Sequence, residues 1–515
     1  MLQYIKEKLK ANKYTVVLPA IVFSLISNML LITKGYGCPD NLCEGAVYYT
    51  GSNWALEIGR WAIRYLNAST GYVVIPALNI LVSVLCCCVT CILLANLWNI
   101  HNGMCLAIAS VSLTVAPAIT GQFLYIYMDL AYSWSLVLST VSAYLVLTGN
   151  NRRLYGVLAS ICLGLALGGY QSYVGFTAAI ILLTVIFRLL NGLHWKQALF
   201  QLGHATLMGI GGGVIYIVLL KINQAVFHST LSSYSGADKI GLGNTIKHLP
   251  SSIVNMYQDF FQYYLDDTAN RATFFCPLLA LLLLVLCYKF YRLIDSKHYL
   301  SVALTMLCCI ALPIAMNVIV LIAPERGISV LMSHQMQLLI PFSLALVDTG
   351  GSSVQLWKKA SFICGTLFSS LVCLSCCVYA YATQYSIEYM YRYMQTYATG
   401  ILVRLQTVKG YSEKTKIMFL GIPDENAVQQ NNPIYEFGMK SVSVFWNGEY
   451  GVLTCWPKYM QNYMAIDTGS FTADEYHRVL DSNQFAEMPC YPEEGSIQYF
   501  EDFFIVKIED DPPRN

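Results

Sequence analysis

Four charged residues stand in stretches of the chain that carry few other charges. Asp40 and Glu44 lie close together, Arg60 follows them, and Asp129 is the only charged residue between positions 104 and 151. A carboxylate can deprotonate a hydroxyl group, and an arginine can bind a phosphate through two parallel hydrogen bonds. These residue types therefore allow hydroxyl activation and phosphate binding, provided that the fold positions them.

Arg60 belongs to a segment, 53–65, whose residues divide between two faces of a helix. Apolar residues recur on one face, whereas Glu57, Arg60 and Arg64 fall on another. The pattern predicts a helix that lies along a membrane surface. Its charged face either is solvated or lines a pocket, where two guanidinium groups suit an anionic lipid headgroup.

Further polar residues are candidates for donor or phosphate binding on the same side. Tyr170 and Gln171 lie in a tight turn, Lys221 lies near the end of an apolar run, and Arg326 lies in a Pro-Glu-Arg-Gly sequence. Lys221, and also the Asp129 carboxylate named above, have interpretations that are purely structural. Lys221 can extend to the membrane surface, and Asp129 can cap a helix instead of facing a pocket as a second carboxylate.

The composition indicates a membrane protein. Of 515 residues, 56% are hydrophobic and 12% are charged, whereas soluble domains carry about 25% charged residues. The formal net charge of +1 provides no bulk field for nucleic acid. Much of the surface must therefore face a lipid bilayer, and no nucleic-acid partner is expected.

Eleven apolar stretches are long enough to cross a bilayer, for which about 20 residues are needed. They are 14–34, 72–97, 104–124, 131–148, 154–170, 173–190, 204–226, 273–289, 299–322, 329–347 and 360–382. Basic residues cluster at the N-terminus and in every second loop, which predicts a cytoplasmic N-terminus. An odd number of spans then places everything after about residue 383 outside.

The tail after the last span predicts a small α/β domain. Its strand-like runs are Lys416–Ile422, Ser441–Trp446 and Phe503–Ile508, and a capping box from Thr472 to Glu475 begins a helix. We therefore expect a mainly α transmembrane domain over 1–383 and an extracytoplasmic α/β domain over 384–515.

Four of the 18 cysteines lie outside the apolar runs, namely Cys38, Cys43, Cys455 and Cys490. On an oxidising side of the membrane they can form disulfides. The sequence leaves open the pairs Cys38–Cys43 and Cys455–Cys490, since the geometry decides whether a bond forms.

Three motifs together resemble the bacterial Gtr-type glucosyltransferase family, which modifies O-antigen and other surface glycans. They are an acidic first loop that ends in Glu57-Ile-Gly-Arg60-Trp61, the Asp129 element, and the hairpin Leu167-Gly-Gly-Tyr-Gln-Ser-Tyr173. The tail segments that begin at Phe471 and Met488 also resemble members of that family.

The resemblance implies a GT-C-like fold in the bacterial cell membrane. Such enzymes move a sugar from a polyprenyl-phosphate donor to a cell-surface glycan acceptor on the outer face, and therefore need no nucleotide-sugar domain. The catalytic carboxylate is implied to be Asp40, with Glu44 and Glu57 as rivals and Asp129 in support. No carboxylate cluster demands a metal, although a divalent cation held by Asp40 and Asp129 stays open.

Two other classes of membrane protein share parts of this pattern. A transporter or lipid flippase would carry ionisable residues near the bilayer midplane and often paired repeats, whereas the charges here cluster near one face. A polysaccharide polymerase would favour a large basic outer loop, and the segment 227–272 is modest. The glycosyltransferase interpretation therefore fits better.

Overall fold

The computed structural model describes residues 7–514 apart from 9, 45–46, 150–151, 233–241, 322–328, 349–354, 413 and 441. The chain divides into two compact units. The first unit comprises Met1–Met29, Thr50–Phe123 and Met128–Ala380, and the second comprises Leu30–Tyr49, Leu124–Tyr127 and Tyr381–Asn515. The second unit thus includes part of the first predicted outer loop. The domain limits 1–383 and 384–515 stay a prediction.

Eight helices among the described residues are long and apolar enough to cross a membrane. They are Lys13–Lys34, Pro76–Leu97, Ile126–Thr148, Tyr173–Leu190, Trp195–Val226, Thr268–Asp295, Tyr299–Met316 and Leu356–Leu405. The chain is therefore mainly helical and fits a multi-pass membrane protein. The last of these helices has 50 residues and continues without a break into the stretch that the sequence assigned to the tail.

The predicted span 104–124 is broken in the middle. It forms the helices Gly103–Thr114 and Pro117–Phe123, which are bent by 41° at the break. Pro117 explains the break, because proline has no amide hydrogen and disfavours the α conformation in the residue before it.

The predicted span 329–347 is also irregular. It begins with the 3-10 turns Val330–Met332 and His334–Leu338, and only Leu339–Val347 is α-helical. Irregular backbone at membrane depth occurs where it is enclosed by protein or lines a cavity. This segment therefore belongs with the interior of the first unit.

The number of spans is not decided by the helices alone. The bent pair raises the candidates among the described residues from eight to nine. The helix Arg152–Gly169 and the segment His334–Val347 coincide with the two other predicted spans but fall short in length or apolarity. Eleven spans therefore stay a prediction.

Further helices, which are not among the candidate spans, belong to the two units. In the first unit they are Asn53–Glu57, Ile63–Asn67 and the longer Leu242–Leu265. In the second unit they are Pro39–Glu44, Glu425–Gln430, Glu449–Met464, Ala473–Leu480 and Asn483–Glu487. The capping box of Thr472 and Glu475 begins the helix Ala473–Leu480 as predicted.

A small mixed sheet forms the core of the second unit. Its strands are β1 (Ile417–Leu420), β2 (Ile497–Phe500) and β3 (Phe503–Lys507), in the order β1-β3-β2. β3 pairs parallel to β1, with Met418 opposite Ile505, and antiparallel to β2. β1 and β3 are buried along their whole length, as continuous apolar runs predict for strands that are covered on both faces.

The predicted strand Ser441–Trp446 is wrong, because residues 442–446 are irregular. The Glu425 carboxylate accepts hydrogen bonds from the amides of Val444 and Phe445 at 3.1 and 3.2 Å. Because these two amides bond to a side chain, they are not available to pair with a neighbouring strand. The third strand of the sheet is β2 instead.

Candidate functional site

The segment predicted as one surface helix is interrupted immediately before Arg60. Its two short helices, Asn53–Glu57 and Ile63–Asn67, flank a turn in which Gly59 has a φ of +83°. Glycine tolerates this left-handed conformation, whereas other residues are strained in it. The prediction of a continuous helix over 53–65 is therefore wrong.

Two side chains from other parts of the first unit fix this turn. Gln171 Nε2 donates to the Ile58 carbonyl at 2.7 Å, and the Tyr216 hydroxyl donates to the Gly59 carbonyl at 3.1 Å. A Cβ atom at Gly59 would lie 2.4 Å from the Tyr216 hydroxyl oxygen and 2.6 Å from Gln171 Nε2. Gln171 therefore positions the turn that presents Arg60.

The Arg60 guanidinium lies against two tyrosines. Its Nη1 donates to the Tyr132 hydroxyl at 2.8 Å and to the Met128 sulfur at 3.6 Å. The guanidinium carbon lies 4.8 Å from the centre of the Tyr170 ring, and Tyr132 and Tyr170 pack with ring centres 4.7 Å apart. Arg60 is half-buried, so cation–π contacts hold a positive charge in a fixed place.

Two of the motifs that carry the family resemblance pack directly against each other. The Ala62 amide donates to the Gly168 carbonyl at 2.9 Å, and a Cβ atom at Gly168 would lie 2.4 Å from the Trp61 indole. A Cβ atom at Gly169 would lie 2.1 Å from Ser135 Oγ. Gly168 therefore allows Trp61 to pack against the backbone, and Gly169 allows Ser135 to do the same.

Asp129 is fully buried, at 0% exposure, in a network of uncharged polar side chains. Ser83 Oγ donates to Asp129 Oδ1 at 2.8 Å, and Gln122 Nε2 donates to the same oxygen. Among the described residues, none donates to Asp129 Oδ2. The residue before Asp129 occupies the N-cap position, so the carboxylate is used for tertiary contacts and the capping interpretation is wrong.

Both broken membrane segments contribute to this network. Gln122 lies in the helix Pro117–Phe123, and its Oε1 accepts a hydrogen bond from the Tyr173 hydroxyl at 3.5 Å. The Tyr173 ring packs against His334, in the irregular segment, with ring centres 5.3 Å apart. Broken segments often mark binding sites in membrane proteins. The first unit thus holds a polar interior from Asp129 to His334.

Sequence reasoning missed several members of the site. They are Ser83, Gln122, Tyr132, Ser133 and Tyr173. Gln122 was the one side-chain amide within the predicted span 104–124, and this signal could have identified it. The serines and tyrosines carry no comparable signal, since such residues are common in membrane helices.

Arg271, in the segment 227–272, is more deeply buried than Arg60. Arg271 is 3% exposed and forms an ion pair with Asp266. Its guanidinium carbon lies 5.1 Å from the centre of the Tyr263 ring. The Tyr263 hydroxyl donates to Gln337 Oε1 at 2.8 Å. Arg271 is therefore compensated within the interior of the first unit.

The other predicted donor-binding residues take different positions in the first unit. Arg64 lines a small cleft together with Arg60, where its guanidinium donates to the Gly51 carbonyl at 2.9 Å and covers the Phe227 ring. Glu57 is half-buried at the end of its helix, and Lys221 is exposed. Arg326 lies outside the described residues.

Asp40 and Glu44 lie on the helix Pro39–Glu44 of the second unit. Asp40 Oδ2 accepts hydrogen bonds from Trp446 Nε1 at 3.4 Å and from Cys38 Sγ at 3.8 Å. Burial, and then the Asp40 carboxylate, raise the pKa of the Cys38 thiol well above its usual value. The thiol therefore stays protonated and donates, so that two donors orient the Asp40 carboxylate.

A cleft of about 690 Å³ opens in the same unit. Its lining residues are Glu449, Tyr450, Leu453, Thr454, Pro457, Lys458, Ser470, Phe471, Ala473 and Arg514. Tyr450 is 64% exposed and stacks on Trp446 with ring centres 5.4 Å apart. Exposed aromatic rings beside a few charged groups are typical of a ligand site. Trp446 therefore connects the Asp40 carboxylate with this cleft.

The described residues contain no group of three or more His, Cys, Asp or Glu side chains that could hold a metal ion.

A family model with the description Glucosyl transferase GtrII matches residues 40–340, which is more than half of the chain. The chain belongs to the GtrII glucosyltransferase family. The resemblance seen in the sequence is thereby confirmed. No curated protein and no solved structure matches the chain.

The GtrII match includes Asp40, Arg60 and Asp129 but ends before the cleft of the second unit. The buried polar network and the turn that presents Arg60 therefore lie within the family region. The cleft belongs to a part of the chain for which the family model gives no information.

We expect Gly59→Ala to destabilise this GtrII glucosyltransferase by about 1–3 kcal/mol, because the new methyl group meets Tyr216 and Gln171 in a left-handed backbone. Gly71→Ala is the matched control, since Gly71 also has a positive φ of +62° but nothing within 4 Å of its Cβ position. Thermal unfolding of both purified variants measures the difference. Equal losses would mean that backbone strain alone, and not the crowded turn, requires Gly59.

Proposed function

We propose that this enzyme transfers a hexose, namely glucose, from a polyprenyl-phosphate donor to a cell-surface glycan acceptor on the outer face of a bacterial cell membrane. The family match over residues 40–340 carries the proposal, since it establishes a glucosyltransferase. The apolar helices support a donor that is itself held in the bilayer. A GT-C-like catalytic fold and O-antigen modification are parts of the same proposal.

The first unit is assigned to the donor. Arg60, held against Tyr132 and Tyr170, would bind the donor phosphate and stabilise the charge that develops as the phosphate leaves. Asp129 would support the reaction as a second carboxylate, because its Oδ1 is fixed by Ser83 and Gln122. Arg64, Lys221 and Arg326 stay candidates for additional phosphate contacts.

The second unit is assigned to the acceptor. Asp40 would act as the general base that takes the proton from the attacking hydroxyl. Its orientation by Trp446 and Cys38 supports this role, and Glu44 and Glu57 stay its rivals. The cleft that contains Tyr450 and Glu449 would hold the acceptor glycan, since sugar rings pack on exposed aromatic faces and their hydroxyls bond to charged groups.

Transfer can be tested directly in membranes that contain the protein. Radiolabelled polyprenyl-phosphate glucose is added with candidate surface glycans, and label in the glycan is measured after the lipid has been extracted. Membranes from cells without the protein provide the background. Label that stays on the lipid but moves between leaflets would instead indicate a flippase, and longer glycan chains without added glucose would indicate a polymerase.

The orientation of the chain is a separate prediction. Basic loops on alternate sides predict a cytoplasmic N-terminus and an extracytoplasmic C-terminal unit. Reporter fusions at residue 295 and at residue 450 are therefore expected to report opposite sides of the membrane. Signals from the same side would contradict the three spans predicted between the two fusions, because an odd number of spans places them on opposite sides.

We also predict that Tyr450→Ala raises the KM for the acceptor glycan by about tenfold, because stacking contacts of an aromatic ring contribute about 1 kcal/mol or more. The KM for the donor is expected to stay unchanged. Tyr499→Ala is the matched control, since Tyr499 is 48% exposed in the same unit but is not among the cleft residues. Equal acceptor KM values for both variants would exclude the cleft as the acceptor site.

A further inference from the structure

Two thiols of the second unit are in contact although they are far apart in the sequence. Cys43 Sγ lies 3.2 Å from Cys455 Sγ, on the helices Pro39–Glu44 and Glu449–Met464. This distance exceeds a disulfide bond of about 2.05 Å by roughly 1.2 Å. Cys490 instead donates to Asp510 at 3.4 Å. In the structure Cys43 therefore lies beside Cys455, and none of the four cysteines forms a disulfide, which includes the two pairs that the sequence left open.

The surroundings hold the two helices together at this point. Asn462 Nδ2 donates to the Leu42 carbonyl at 3.3 Å, and the Trp446 amide donates to Cys455 Sγ at 3.4 Å. Cys455 is fully buried, whereas Cys43 is partly exposed. The contact between the sulfurs is thus part of a packed interface inside one compact unit.

We propose that Cys43 and Cys455 form a disulfide bond that fastens the helix bearing Asp40 to the helix Glu449–Met464. The two thiols lose two electrons and two protons to the disulfide of a thiol–disulfide oxidoreductase, which becomes a dithiol. The more accessible Cys43 first forms a mixed disulfide with the oxidant, and Cys455 then displaces it. The proposal rests on the extracytoplasmic location in the proposed function, because such bonds persist on an oxidising side.

The reduced pair has little reactivity once it is packed. The hydrogen bond with Cys455, together with burial, raises the pKa of the Cys43 thiol, and the thiolate is the species that attacks a disulfide. Oxidation is therefore expected to be slow once the two helices have closed on each other. Once formed, the bond keeps Asp40 within reach of Trp446, whose indole donates to the carboxylate.

Peptide mapping of the full-length protein tests the bond. Cells are treated with N-ethylmaleimide to block free thiols, and the protein is solubilised and digested with trypsin without reductant. The expected product joins peptide 35–60, which contains Cys38 and Cys43, to peptide 441–458, which contains Cys455. The joined product should disappear when reductant is added before the digestion.

Single variants identify the sulfur in peptide 35–60. Cys38→Ser is the matched control and should retain the joined product, whereas Cys43→Ser should lose it. If peptide 35–60 closes on itself, if 441–458 joins 479–507 through Cys490, or if all four thiols are blocked, the inference is wrong. The reporter fusion at residue 450 distinguishes two reasons for finding free thiols. Free thiols together with an outside signal overturn only the disulfide, whereas a cytoplasmic signal overturns the proposed orientation as well.

Discussion

Asp40→Asn is expected to lower glucosyl transfer by about 10²-fold or more, because the amide keeps the size of the side chain but cannot accept the proton of the acceptor hydroxyl. The amide oxygen can still accept the hydrogen bond that Trp446 Nε1 donates in the wild-type protein. Donor binding should persist, so the loss should fall on kcat. Initial rates with saturating donor and a defined acceptor glycan measure the effect.

Glu44→Gln is the matched control for this prediction. Glu44 lies on the same short helix as Asp40, and its substitution changes the charge of the helix by the same amount. We expect Glu44→Gln to retain most of the transfer rate. If instead Glu44→Gln abolishes transfer and Asp40→Asn retains it, Glu44 is the base. If both variants insert normally and both retain the rate, no carboxylate of this helix acts as the base.

Arg60→Ala is expected to lower kcat/KM for the donor by about 10²–10³-fold, because in the proposed function Arg60 is the charged donor to the leaving phosphate. Both binding and turnover should suffer, since a phosphate is bound in the ground state and in the transition state. Arg60→Lys should recover only part of the loss. Lysine keeps the charge, but it has no planar group to lie over the Tyr170 ring, where Arg60 sits 4.8 Å from the ring centre.

Arg64→Ala provides the comparison for Arg60. Arg64 lines the same small cleft, but its guanidinium donates to the main-chain carbonyl of Gly51, whereas that of Arg60 donates to the Tyr132 side chain. Its loss should therefore reduce thermal stability more than the affinity for the donor. A selective rise of donor KM in Arg64→Ala would show that two guanidiniums share the phosphate. An unchanged donor KM in Arg60→Ala would refute the assignment of Arg60.

Local patterns in the sequence predicted those parts of the protein that depend on neighbouring residues. The apolar stretches predicted helices throughout the first unit, because the cost of leaving backbone groups unbonded in lipid favours helix wherever a long run is apolar. The capping box at Thr472 and the buried strands β1 and β3 were likewise predicted, since each depends on a short run of residues. The motifs around Arg60 and Asp129 also identified the family, and the match over 40–340 confirms it.

The tertiary structure decided what depends on residues that are distant in the chain. The helix before Arg60 ends because Gln171 and Tyr216 bond to its turn, and no periodicity within 53–65 contains that information. Asp129 faces the interior because Ser83 and Gln122 come from two other membrane segments. In the second unit, the Glu425 carboxylate accepts hydrogen bonds from amides of the predicted strand Ser441–Trp446, and Cys455 lies beside Cys43. In each case a long-range hydrogen bond or packing contact outweighs a local preference, because a buried polar group that lacks a partner costs more free energy than a change of local conformation.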